Sequence, residues 1–194
     1  MPRSELFRKE TVLDQIKEVF WLKGYNGTSM QDLVDATGLN RSSLYNSFGR
    51  KMELYQSVLK KYQGENAENL NQLSTCSKTG YQIIESLFKS VKEEMLNDSN
   101  RKGCMFINCS TEMGNQNLQL NQLLRSNQAK LVSYFKNWVE KGKNDGSICS
   151  KSETTILANY LVNAFQGFRI TGMNTSDIKT LNNIIGITLK TLKQ

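Results

Sequence analysis

The chain carries a single proline, Pro2, and none anywhere after it. Proline is the residue that interrupts a helix interior, because it lacks the amide donor and its ring clashes with the preceding turn. A chain without it has few enforced breaks, so its elements end where glycine and asparagine allow turns. The apolar residues follow that expectation. Val12, Ile16, Val19 and Phe20 lie at i, i+4, i+7 and i+8, the spacing of one helix face, and Gly24 closes that helix. Ser29-x-x-Asp32 reads as a capping box opening a short second helix with Met30, Leu33 and Val34 inside. Asn40 is a good N-cap for a third helix whose inner residues are Leu44 and Phe48, and Gly49 breaks it. A fourth helix begins near Arg50, with Leu54, Tyr55, Val58, Leu59 and Tyr62 on one side.

Beyond residue 62 the pattern stays helical. Asparagine-rich connectors at Asn69–Lys78, Asn97–Lys102 and Gly114–Asn117 separate periodic stretches near Tyr81–Leu96, Gly103–Met113 and Leu118–Gly142, and Lys143–Gly146 reads as a turn. The run Met105-Phe106-Ile107 is the one strand-like stretch, and its helical surroundings make it a buried helix face. No internal repeat is present. The expected fold is therefore all-α, with about nine helices. A three-helix helix-turn-helix domain spans residues 6–62, its motif at about 29–48, and a larger helical domain spans 63–194.

The last two helices are apolar over more than one stripe. One carries Leu157, Tyr160, Leu161, Ala164, Phe165 and Phe168, widened by Ile156 and Val162; the other carries Ile178, Leu181, Ile185, Leu189 and Leu192, widened by Ile184 and Ile187. Such helices need cover on more than one side. The same pair from a second copy would supply it as a four-helix bundle, and so would further helices of the same chain. The periodicity fits both.

Composition narrows the function. Hydrophobic residues at 38% suffice for a packed core, so disorder is not expected. No apolar run reaches membrane-spanning length and the first ten residues lack a signal-peptide core, so the expected compartment is the cytoplasm. Cys76, Cys104, Cys109 and Cys149 are then expected as reduced thiols. The chain has no histidine, and of its four cysteines only Cys104 and Cys109 lie close in sequence, which is too few ligands for a zinc site. With no nucleophile motif and no phosphate-cradling glycine loop either, neither an enzyme nor a cofactor is expected. The net charge of +7 is compatible with an anionic partner, and its distribution says more. Between Asp35 and Glu53 there is no carboxylate, whereas Arg41, Arg50 and Lys51 all fall there. A surface that approaches phosphates needs such local freedom from repelling charge.

The same window holds the helix-turn-helix spacing. Its third helix presents Arg41, Ser42, Ser43 and Asn46 outward, mostly small residues that let a helix approach base edges in the major groove. Arg41 suits guanine O6 and N7, and Asn46 suits adenine N6 and N7. From Arg8 to Tyr62 the chain resembles the N-terminal signature of the tetracycline-repressor (TetR) family. The matching residues are Gly24-Tyr25, Thr28, Met30, Leu33-Val34, Ala36-x-Gly38-Leu39, Ser43-Leu44-Tyr45, Phe48 and Lys51-x-x-Leu54. Val34-Asp35 and Asn40 depart from the family's usual choices while keeping their roles. The resemblance implies a transcriptional regulator, commonly a repressor, that binds double-stranded palindromic operators as a homodimer and is released by a small-molecule effector. It implies that Thr28 and Ser29 lie at the phosphate backbone, and that Arg41, Ser42, Ser43 and Asn46 lie along the groove. Tyr45 and Lys51 would contact phosphates, the latter beside the amides of its helix's first turn. The self-interface would be the terminal helix pair, with Leu157, Leu161, Phe165, Phe168, Leu181, Ile185 and Leu189. The larger domain would bind the effector, at residues the resemblance does not specify.

Arg101–Asn108 is similar to a segment found in part of that family, where the sixth helix links ligand pocket and DNA-binding head. Cys104 or Cys109 would serve as a thiol sensor only with a lowered pKa, which Arg101 and Lys102 could give Cys104; plain packing is the expectation. Glu112 reads as a solvated carboxylate or a ligand contact, and Tyr134, Phe135 and Trp138 read as packing or pocket lining. The alternatives are a helical adaptor that has lost its operator and a non-specific architectural DNA binder.

Overall fold

The computed structural model describes residues 9–75 and 77–193; Pro2, Cys76 and residues 6–8 of the expected head lie outside the described residues. Among the described residues there are nine helices and no strand. They are α1 (Lys9–Lys23), α2 (Met30–Thr37), α3 (Arg41–Phe48), α4 (Lys51–Thr75), α5 (Gly80–Asn97), α6 (Met105–Met113), α7 (Leu118–Asn144), α8 (Thr154–Asn174) and α9 (Ile178–Lys190). Met105-Phe106-Ile107 is the first turn of α6, as its helical flanks required.

Two connectors differ from their expected bounds. Asn69–Thr75 is not a loop but the last two turns of α4. Leu70 and Leu73 pack on the larger core, and the Ser74 hydroxyl accepts a 2.8 Å hydrogen bond from the Trp138 indole. Tertiary contacts thereby outweigh the low helix preference of asparagine. Lys143 and Asn144 likewise complete α7. The turn that follows docks on α5, where Asp145 accepts from the Gly80 amide at 2.9 Å. Gly80 itself is buried, and a side-chain carbon there would run into the backbone of Trp138 and Gly142.

Two cores result. The head is built on Ile16, Phe20, Leu33, Leu44, Leu54 and Val58, and it is completed by Met105, Cys109 and Met113 of α6 and Leu120 of α7. The head's core therefore does not close within residues 6–62. The larger core brings together α5, α7, α8 and α9 around Phe88, Phe135, Phe165 and Phe168. Each such side chain contributes about 1.5–3 kcal/mol when fully buried. Helix α4 serves both cores.

One assignment needs correction. Leu157, Leu161, Phe165, Phe168, Leu181, Ile185 and Leu189, expected at a self-interface, face inward and are at most 6% exposed within a single chain. They pack against α5 and α7 of the same chain, so their area is already used. The apolar residues left outside on the same two helices are Ile156, Tyr160, Ile170, Ile178 and Ile187. No helix among the described residues is long and apolar enough to cross a membrane.

Candidate nucleic-acid interface

Helix α2 is opened by the capping box its sequence indicates. The Ser29 hydroxyl accepts from the Asp32 amide, and the Asp32 carboxylate accepts from the Ser29 amide at 2.7 Å. Lys23 adds an ion pair to Asp32 at 2.7 Å. The Lys23 ammonium and then the Ser29 amide and hydroxyl hold the Asp32 carboxyl well below the usual carboxylate range. That charge is thus spent locally, just outside the acid-free window. Gly38, at φ +67°, turns the chain left-handed between α2 and α3, a conformation that favours glycine.

Asn40 caps α3. Its side-chain oxygen accepts from the Ser43 amide and the Ser42 hydroxyl, both at 2.8 Å. Leu44, wholly buried, fixes the inner face of α3 on the head's core. Arg41, Ser42, Tyr45 and Asn46 are exposed, and one to five positions of helical spacing put them on one outward strip; Ser43 is half-buried at its edge. The Arg41 side chain makes no hydrogen bond or ion pair with the described residues, so its guanidinium is available to a partner. Tyr45, 38% exposed, projects its ring rather than burying it.

Lys51 opens α4 beside this strip, with its ammonium 4.4 Å from the centre of the Tyr25 ring. The contact positions the charge while leaving its donors free for an anion. Glu53 reaches back to the Arg50 amide, so one of the amides at this helix start already has an acceptor. An anion approaching this helix start would meet Lys51 and the remaining first-turn amides.

Two expected contacts are placed differently. Thr28 is 1% exposed, and its hydroxyl donates to the Gly24 carbonyl at 2.6 Å, which closes the end of α1. A buried, already donating hydroxyl does not reach a phosphate, so Thr28 is a structural residue of the turn. Ser29 is exposed, but its hydroxyl donates to Asp32 at 2.8 Å.

Glu112 on α6 turns out to be neither a solvated carboxylate nor a ligand contact. It accepts from the backbone amides of Tyr25 and Asn26 at 2.9 and 2.7 Å, directly in the turn between α1 and α2. Sequence reasoning had no signal for this contact, because its partners are separated by 86 and 87 residues. Helix α6 is tied to the head at its other end as well: the Trp21 indole donates to the Gly103 carbonyl at 3.2 Å, and Lys102 pairs with Glu18 at 2.7 Å while lying over the Trp21 ring. Lys102 is thereby engaged away from Cys104. Cys109 is fully buried, and burial pushes its thiol pKa up, the direction of an unreactive thiol.

The opposite side of α6 faces a partly open cavity of about 650 Å³ lined by α4, α5, α6, α7 and α8. Phe106, Ile107, Ser110 and Thr111 of α6 line it, as does Tyr134, whereas Phe135 and Trp138 belong to the core. One short helix thus touches both this cavity and the turn that supports α2 and α3.

The model of a family described as bacterial regulatory proteins, tetR family, matches residues 12–58. The chain is 27% identical over 189 residues to the HTH-type transcriptional repressor ComR of Escherichia coli (strain K12), covering 97% of this chain and 90% of that one. It is also 27% identical over 194 residues to the HTH-type transcriptional regulator YezE of Bacillus subtilis (strain 168), covering 99% of this chain and all of the relative. Among solved structures, the TetR-family regulator CifR, in a cysteine-substituted form bound to a 26-base-pair operator DNA, shares the fold. The TM-score is 0.85 at 20% identity, over 97% of this chain and 98% of that one.

Proposed function

We propose that this chain is a DNA-binding transcriptional regulator of the TetR family and that it acts as a repressor: a homodimer on a palindromic operator, released when a small molecule fills the cavity behind α6. The observation that carries the proposal is the outward strip of α3, with Arg41, Ser42, Tyr45 and Asn46 exposed and Lys51 beside it, in a stretch free of carboxylates from residue 36 to 52. In this reading Arg41 and Asn46 meet base edges, while Tyr45 and Lys51 meet phosphates. ComR bears the name of a repressor and CifR was solved on operator DNA, which supports the direction of the effect and the partner.

The dimer would form on the outer faces of α8 and α9. Ile156 and Ile187 are 63% and 65% exposed, with Tyr160 and Ile178 also outside. Gly167 and Gly186 lie mid-helix with open space where a side chain would start. Glycine there costs about 1 kcal/mol relative to alanine, and nothing within the chain requires it. Close approach of a second copy's helices would. Two α3 helices would then read half-sites about 34 Å apart. Effector binding would shift α6, and with it the turn held by Glu112, so that this spacing no longer fits; a coupling of about 1–3 kcal/mol suffices.

Two variants test the DNA reading. Lys51→Ala weakens binding to every sequence and lowers the salt slope by about one per subunit. Arg41→Ala relaxes preference at one base pair per half-site, by about 1–3 kcal/mol. If both variants lose affinity with no change in sequence preference, the base-reading assignment is wrong.

A further inference from the structure

We propose that the cavity takes an amphipathic anion, a molecule with an apolar body and a carboxylate-like or sulfonate-like head, and that Arg169 of α8 holds the head. The inference deepens the reading of this cavity as the effector site and rests on it. Arg169 lines the cavity although it is only 7% exposed. Burying a guanidinium is costly unless its donors are met, and it carries five of them in a rigid fork. Here Nη2 pairs with Glu94 at 3.0 Å, but Nε–H has no acceptor among the described residues. The Tyr62 hydroxyl, also buried, likewise lacks a partner among them. Burial pushes the Tyr62 pKa up, so the group remains a neutral hydroxyl.

Glu94 does not settle the charge of Arg169. Its side chain is 52% exposed, so it holds the guanidinium from the solvent side by a single contact, where pairs are weak. The remaining charged lining residues are Arg125 and Lys130, which leaves three cations against one carboxylate. The rest of the wall is mixed: Leu70, Leu87, Val91 and Phe165 are apolar, while Asn66, Ser90, Asn121 and Gln166 offer uncharged polar groups. A cationic, under-satisfied fork at one place and apolar patches elsewhere fit an acid with a hydrocarbon or aromatic body. The site also adjoins the head: Tyr62 packs on Trp21 of α1 at 5.1 Å and on Phe106 of α6 at 6.0 Å. An anion drawn to Arg169 would therefore press on the elements that join the cavity to α1.

Two dyes that share an aromatic frame and differ in charge test this: anilinonaphthalene sulfonate and the uncharged N-phenylnaphthylamine. Fluorescence titration of the full chain should show the sulfonate binding at least about tenfold tighter, the size of one charge-assisted hydrogen bond. Arg169→Gln should erase that preference and leave the neutral dye unchanged. Glu94→Gln, at an exposed position that keeps the fold whatever the fate of Arg169→Gln, should strengthen the sulfonate. Leu124→Trp, which fills the cavity, should weaken both dyes. Equal affinity for the two dyes, or a preference for the neutral one, would overturn the anion assignment and leave the effector cavity standing. Binding of neither dye, or binding that Leu124→Trp does not reduce, would overturn the effector reading and this proposal with it.

Discussion

Thr28 and Lys51 show how a position can match a family pattern and still differ in what its side chain does. Both resemble phosphate contacts, yet only Lys51 has donors to spare. Thr28 has one hydroxyl hydrogen, and the Gly24 carbonyl takes it at 2.6 Å. Thr28→Val, nearly the same shape, should therefore cost stability, about 1–2 kcal/mol for the buried carbonyl left without its donor. It should leave the salt slope of DNA binding unchanged. Thermal unfolding and a salt titration of the same preparation separate the two effects. A slope lower by about one per subunit, with no loss of melting temperature, would show that Thr28 does meet a phosphate.

At the scale of elements, α6 is the piece to watch. Its carboxylate Glu112 serves two amides of the α1–α2 turn, and Gly24 in that turn leaves no room for a side-chain carbon beside it. Glu112→Ala should speed hydrogen exchange at Tyr25 and Asn26 by about tenfold or more, since each bond is made to a charged group. Amides in α5, α7 and α8 should not change. Unaltered exchange at Tyr25 and Asn26 would mean that α6 does not grip the head. The local punctuation of the head was legible in the sequence, because a capping box, an N-cap asparagine and glycines at left-handed turns are short-range chemistry: Ser29, Asp32, Asn40 and Gly38 sit where their side chains demand. What was not legible depends on distant partners. Asn69–Thr75 reads as a loop until Trp138 and the larger core hold it helical. The spacing of α8 and α9 shows apolar residues on two sides but not which side the chain covers itself. That is why Leu161 and Phe165, rather than Ile156 and Ile187, were assigned outward. Glu112 and Arg169 carry no motif at all; only the fold brings them to a turn and a cavity.

At the scale of the whole molecule, the account joins an outward strip on α3 to an uncovered face on α8 and α9. Neither suffices alone, because one head reads only a half-site, and a dimer without exposed base-reading side chains has no sequence preference. The two claims meet in a single titration: fluorescence anisotropy of the protein with the DNA upstream of its own gene, against a scrambled duplex, over a salt series. The account predicts binding to the upstream fragment more than about a hundredfold tighter than to the control. It also predicts a steep loss with salt, two chains per duplex, and disappearance of the tight step in a variant carrying Ile156→Lys and Ile187→Lys. Equal, weak binding of wild type to both duplexes across the series, with one chain per site and no effect of the two lysines, would contradict it.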